Sequence, residues 1–201
     1  MGEPCQQHFK ALPNLPVKTV CGNAIEVDKV IEGQFNHILL MGPLYHLLAE
    51  EQRVAAVNAA LNLLKPSGIL FVSFITMMAE VIKAMRFDPN RIYETDVNMD
   101  AYLNSLYARK SFAGKSFTQM FFIEQSEILP FMEKFSLEKL HLFGQDGLML
   151  PCENNIMSQP RAIIDSWLDM CEKLWDREEL LSWSEHIMYV GKAFGNQPVA
   201  D

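Results

Sequence analysis

The chain has few of the features that announce a chemistry. Its four cysteines, Cys5, Cys21, Cys152 and Cys171, form no Cys-x-x-Cys pair, so spacing supports neither a zinc knuckle nor a dithiol redox centre. They read as the reduced thiols of a cytoplasmic protein. No two of the ten glycines are separated by a single residue, which excludes a Gly-x-Gly nucleotide loop. GxxxxGK, GxSxG and HExxH are absent as well, which removes the phosphate loop, the hydrolase elbow and the zinc helix. His8, His37, His46, His141 and His186 are scattered without helical pairing, and no metal is expected. The longest nearly apolar stretch, Ile69 to Ala79, falls short of the ~20 residues that cross a bilayer, so no membrane partner is expected. Positive charge is also scarce: 17 Lys and Arg against 25 Asp and Glu give a net charge of −8. That balance counts against nucleic acid and anionic lipid.

What is present is the composition of one compact domain, 201 residues with 49% hydrophobic and 21% charged. Val17 to Cys21 is short and β-branched and ends at Gly22; Phe35 to Met41 is almost continuously apolar and ends at Gly42-Pro43. Both read as buried strands followed by turns. Glu50 and Glu51 suit a helix start, Val54, Val57, Leu61 and Leu64 recur at helical spacing, and Lys65-Pro66-Ser67-Gly68 stops the pattern. Ile69 to Ile75 supplies a further strand, apolar on both faces, as in a parallel sheet covered by helices. Residues 76–116 lose this periodicity and read as an inserted helical cap. Strands are expected again at Phe117 to Glu124, Leu137 to Phe143 and His186 to Phe194. Helices are expected from a Ser126 cap to about Phe135 and from Ser158 through Leu174.

The stretch Phe35 to Ile75, with GPLYHLL at Gly42 to Leu48 and the turn Leu64-Lys65-Pro66-Ser67-Gly68, resembles the class I, Rossmann-like S-adenosylmethionine-dependent methyltransferases. The Ser184-Glu185-His186 lead into the last strand is similar to the closing hairpin of one small-molecule subgroup of that family. The resemblance implies a single α/β domain whose sheet is mostly parallel with an antiparallel last strand. It implies S-adenosylmethionine as cofactor and methyl transfer to an unidentified small-molecule acceptor. By the same likeness Gly22, Asn23, Ala24, Met41 and Gly42 are cofactor-binding candidates. Tyr45 and His46 are candidates to orient the acceptor. Pro43, Leu44, Arg86, Tyr93, Tyr102, Tyr107 and Arg109 are candidates to contact it. Each has a plain alternative: Asn23 in an ordinary turn, Tyr45 and His46 in helix-start packing, the cap residues in packing or solvation. Methyl transfer needs positioning more than covalent help, so the missing triad does not oppose this reading.

One departure matters. In the family the sheet runs third, second, first, fourth, fifth, seventh, sixth strand, and the glycine-rich loop and ribose-binding acid belong to the first two units. Only sixteen residues precede Val17, so those two units are expected to be missing. Strands three and four would then be roughly 14 Å apart. Either Val17 to Cys21 pairs directly with Phe35 to Met41, or a second chain, a copy or another polypeptide, covers the open edge. A partner-completed or noncatalytic subunit is the second functional expectation.

Overall fold

The computed structural model describes residues 18–116 and 118–194. Its centre is a four-stranded sheet ordered β1-β2-β6-β5, with β1 at Phe35–Leu40, β2 at Leu64–Ile75, β5 at Leu137–Gly144 and β6 at His186–Ala193. β1 runs parallel to β2, while β6 is antiparallel to both β2 and β5. Three strands therefore point one way and the last in sequence points the other. This is the fourth, fifth, seventh, sixth order that the family resemblance implies.

Before β1 come a 3-10 turn, Ala24–Glu26, and helix α1, Val27–Val30. Between β1 and β2 lie α2, Pro43–His46, and α3, Glu50–Asn62. α3 starts on two glutamates, which suit the positive end of a helix dipole. It buries Ala56, Val57, Ala59 and Ala60, a small-residue face that lets the helix lie close on the sheet. Across the core stand Leu70, Val72 and Phe74 of β2, Ile187 and Tyr189 of β6, and Ile128, Phe131 and Met132 of α6, Gln125–Met132.

Residues 76–116 hold α4, Ala79–Phe87, a 3-10 turn at Pro89–Ile92, and α5, Val97–Tyr107. They end in β3, Phe112–Lys115, which pairs antiparallel with β4, Gln119–Phe122. This part has its own apolar cluster, with Tyr102 set edge-on between Phe112 and Phe122. Asp96 caps α5 by accepting from the Met99 amide at 2.8 Å. The remaining helices are α7, Glu153–Met157, α8, Arg161–Leu174, and α9, Glu178–Leu181.

Several expectations need correction. Lys18 to Cys21 form no strand and pair with nothing in the sheet; Val17 lies outside the described residues. The chain turns at Asn23 into the 3-10 turn and α1, which packs on α3 and is tied there by Asn62 Nδ2 donating to Asp28 at 2.8 Å. Direct pairing of Val17 to Cys21 with β1 is thus overturned. Among the described residues nothing pairs with the outer edge of β1. α6 starts after Glu124, so Ser126 lies inside its first turn. α8 starts after Pro160, which caps its entry, rather than at Ser158. Of the strand expected over Phe117 to Glu124, Phe117 lies outside the described residues and the strand covers Gln119–Phe122. No described helix is long and apolar enough to cross a membrane.

Candidate functional site

The register brings four chain ends to one edge of the sheet. Leu40 closes β1, Ile75 closes β2, and Ile75 faces His186, the first residue of β6. Gly144, at the end of β5, faces Ile187. In open α/β sheets ligands bind beyond the carboxyl ends of the parallel strands. At that edge the chain leaves β1 through Gly42 at φ 125°, a backbone state that L side chains rarely adopt. Pro43 then opens α2 with its fixed φ, where its missing amide costs no helical bond.

α2 is only four residues long, so packing and one clamp hold it. Leu44 is buried in the core. Arg53 of α3 is almost fully buried and donates from Nη1 to the carbonyls of Leu47 and Leu48, at 2.8 and 2.7 Å. Its guanidinium lies 3.5 Å from the centre of the Phe121 ring. The residues just past α2 are thereby fixed to α3 and to the β3-β4 hairpin.

Two cavities flank α2. The first, about 410 Å³, runs along the exposed edge of β1 and is lined by Gly22, Asn23, Ala24, Val27, Leu40 and Pro43, with Ala60 and Leu63 beneath. It is chiefly apolar. Asn23 Oδ1 accepts from the Ile25 amide at 3.3 Å, capping the 3-10 turn at the cavity wall. The second, about 370 Å³, is lined by Tyr45, His46, Ile75, Ala79, Glu80, Lys83, Ser116, Met120, Glu185 and His186. It is rich in titratable groups. Glu80 is nearly buried, accepts from the Ser116 hydroxyl and lies 3.5 Å from Lys83 Nζ. Asp146 Oδ2 accepts from the His186 amide at 2.7 Å and faces its Nδ1 at 3.2 Å. That contact raises the His186 pKa above the ordinary imidazole value, against the opposing effect of burial. Burial, then the Asp146 charge, pushes the Glu185 carboxyl up; burial also pushes up the Tyr45 phenol.

The structure thus brings Gly22, Asn23, Ala24 and Pro43 to one cavity and Tyr45 and His46 to the other, while Met41 and Gly42, which join β1 to α2, line neither. The other candidates lie elsewhere. Leu44 and Tyr102 are core residues, and the Tyr102 hydroxyl donates to the Met77 carbonyl. Tyr93 and Tyr107 are 86% and 73% exposed. Arg109 lines a separate small cleft with Thr76 and Glu124. Arg86 pairs with Glu153 and reaches Glu185 at 3.9 Å, so it touches the second cavity through a cavity residue. Sequence reasoning missed Glu80, Lys83, Glu185 and Asp146 as site residues. It noted His186 as a scattered histidine and as part of the Ser184-Glu185-His186 lead into the last strand, not as a site residue. Helical spacing on α4 places Glu80 and Lys83 on one face, but nothing local marks that face as a cavity wall.

No protein-family profile and no curated protein matches the sequence. Solved structures do. An S-adenosylmethionine-dependent methyltransferase from Clostridium acetobutylicum ATCC 824 superposes with a TM-score of 0.53 at 10% identity, over 94% of this chain and 70% of that one. PKMT2 from Rickettsia typhi, solved in complex with AdoHcy, superposes with a TM-score of 0.52 at 13% identity, over 98% of this chain and 43% of that one. This chain therefore spans well under half of the Rickettsia protein. Its strand order, the glycine-led exit from β1 and these superpositions together give it the fold of the class I, Rossmann-like S-adenosylmethionine-dependent methyltransferases.

Proposed function

We propose that this chain serves methyl transfer from S-adenosylmethionine to a small-molecule acceptor, with the cofactor base in the β1-edge cavity and the acceptor in the second. The observation that carries the reading is the placement of α2. One four-residue helix at the carboxyl end of β1 walls an apolar cavity on one side and a titratable cavity on the other. A donor and an acceptor need that adjacency, because alignment of the reacting atoms supplies much of the rate.

The residues of the first cavity fit part of the cofactor. Ala24, Val27, Leu40 and Leu63 suit a flat adenine ring, and Gly42 leaves room at the strand end, where an added Cβ would meet only the Tyr45 hydroxyl end at ordinary contact distance. The lining contains no carboxylate for the ribose hydroxyls. When bound, the cofactor supplies an already activated methyl sulfonium. The chain's own residues bind the base, hold α2 in place through Arg53, and present Tyr45 and His46 to the acceptor.

A second reading rests on the β1 edge, where Phe35, Leu39 and Met41 are 42%, 63% and 51% exposed. In that reading a second chain completes the sheet and the cofactor site. Calorimetry with S-adenosylmethionine separates the two. Micromolar binding by the 201-residue chain supports a self-sufficient site. No binding by the chain alone, with binding restored by a partner that pairs along β1, supports completion. No binding in either case refutes methyl transfer.

A further inference from the structure

We propose that His186, oriented by Asp146, is the proton acceptor of the second cavity, and that this cavity takes a small ring-bearing acceptor with a weakly acidic hydroxyl. The inference deepens the methyl-transfer reading and rests on it for the identity of the donor. An ionised carboxylate has no hydrogen to give, so the contact between Asp146 Oδ2 and Nδ1 assigns the ring proton to Nδ1. The lone pair is then on Nε2, and the ring lines the cavity. The same carboxylate oxygen accepts the His186 amide, which fixes the dyad to the start of β6.

The charged and titratable groups around His186 come from four places: Asp146 after β5, Glu185 beside it, Tyr45 and His46 on α2, and Glu80, Lys83 and Arg86 on α4. Glu80 is engaged by Lys83 and Ser116, and Glu185 faces Arg86. His186 gains a proton with its counter-charge already in contact. Tyr45, Ile75 and Met120 offer ring-sized apolar walls, and the Tyr45 ring stands 5.9 Å from the His186 ring, edge to face. In the step itself the acceptor oxygen bonds the methyl carbon while the carbon–sulfur bond breaks and its electron pair goes to sulfur. The hydroxyl proton passes to Nε2, so the positive charge lost at sulfur is recovered on an imidazolium beside Asp146.

The proton step is readable without the methyl donor. 4-Nitrophenol, coloured only as the phenolate, should bind the full chain with its apparent ionisation shifted about one unit to lower pH. His186→Gln should abolish that shift and Asp146→Asn reduce it, with circular dichroism confirming that both fold. Nitrogen-15 imidazole spectra of the wild-type chain give a measurement independent of any variant. An Nδ1–H tautomer is expected for neutral His186, and an Nε2–H tautomer overturns the proposal. Failure of nitrophenol to bind, or binding with no shift, overturns it too. Calorimetry with S-adenosylmethionine separates the two claims: uptake without a nitrophenol shift defeats this inference alone, whereas a shift with no cofactor uptake either by the chain alone or with a partner paired along β1 defeats methyl transfer alone. With cofactor bound, His186→Gln should lower phenol turnover by about 10²- to 10⁴-fold, with the wild-type rate rising with pH through the His186 titration.

Discussion

Replacing Arg53 by methionine keeps the aliphatic stem but removes two hydrogen bonds and a ring contact. Each bond runs from a charged donor to a backbone carbonyl, at 2.8 and 2.7 Å. Hydrogen bonds to charged groups contribute about 1.5–3 kcal/mol each, and a guanidinium stacked on an aromatic face about 0.5–2 kcal/mol. The contributions share one side chain and do not add fully. Arg53 is 6% exposed, so solvent screening does not discount them heavily. The expected loss is about 3–4 kcal/mol, near the upper end for single substitutions. For a chain of this size that is a fall in Tm of about 6–15 °C. Urea unfolding followed by circular dichroism measures it, with Arg53→Lys expected to recover part by restoring one donor. A loss below about 1 kcal/mol for Arg53→Met would show that the Leu47 and Leu48 carbonyls find water instead, and that α2 is not held in the way described.

Gly42→Ala should cost about 1–3 kcal/mol, because a side chain is forced into the φ 125° state, and should weaken S-adenosylmethionine binding measured by calorimetry; an unchanged melting curve would contradict the strain. Leu39→Lys places a charge on the open β1 edge. It should change stability by no more than about 0.5 kcal/mol while reducing concentration-dependent association in sedimentation velocity; equal association of both chains would show that the edge does not recruit copies. The Asp146–His186 pair should make stability depend on pH. The fold raises the imidazole pKa, so the pair's charge contribution is complete below the unfolded value near 6.5 and is lost as pH rises through the higher folded value. The gap in stability between wild type and Asp146→Asn should therefore be widest below the unfolded value near 6.5 and narrow as pH rises above it, as read by urea unfolding at each pH.

Apolar runs made β1 and β2 legible: in Leu70–Ile75 burial leaves little room for polar residues, whereas Phe35–Leu40 is apolar in sequence but largely exposed along its outer edge. The segment ending at Cys21 misled because Val20 and Thr19 are β-branched, but Lys18 to Cys21 are all exposed and too polar to hold a strand against the open β1 edge. Helix starts shifted for local reasons: Pro160 permits α8 only after itself, while Glu124, not Ser126, stands at the entry of α6. The turn at Gly42 could be placed from the GPLYHLL run, but the four-residue helix α2 that follows it was not expected. The His186–Asp146 contact could not, because the partners are forty residues apart and only the antiparallel pairing of β5 with β6 makes them neighbours. Tyr102 looked like a ligand residue because an aromatic in an irregular segment has no periodicity to reveal its inward face; tertiary packing decided it.

The shared helix between the two chambers has an evolutionary consequence. On the proposed assignment, changes at Tyr45 and His46 alter the acceptor cavity, while Gly22 to Ala24, which line the other cavity, stay untouched. In that reading donor grip and acceptor preference are written in separate residues, and selection can revise one without rewriting the other.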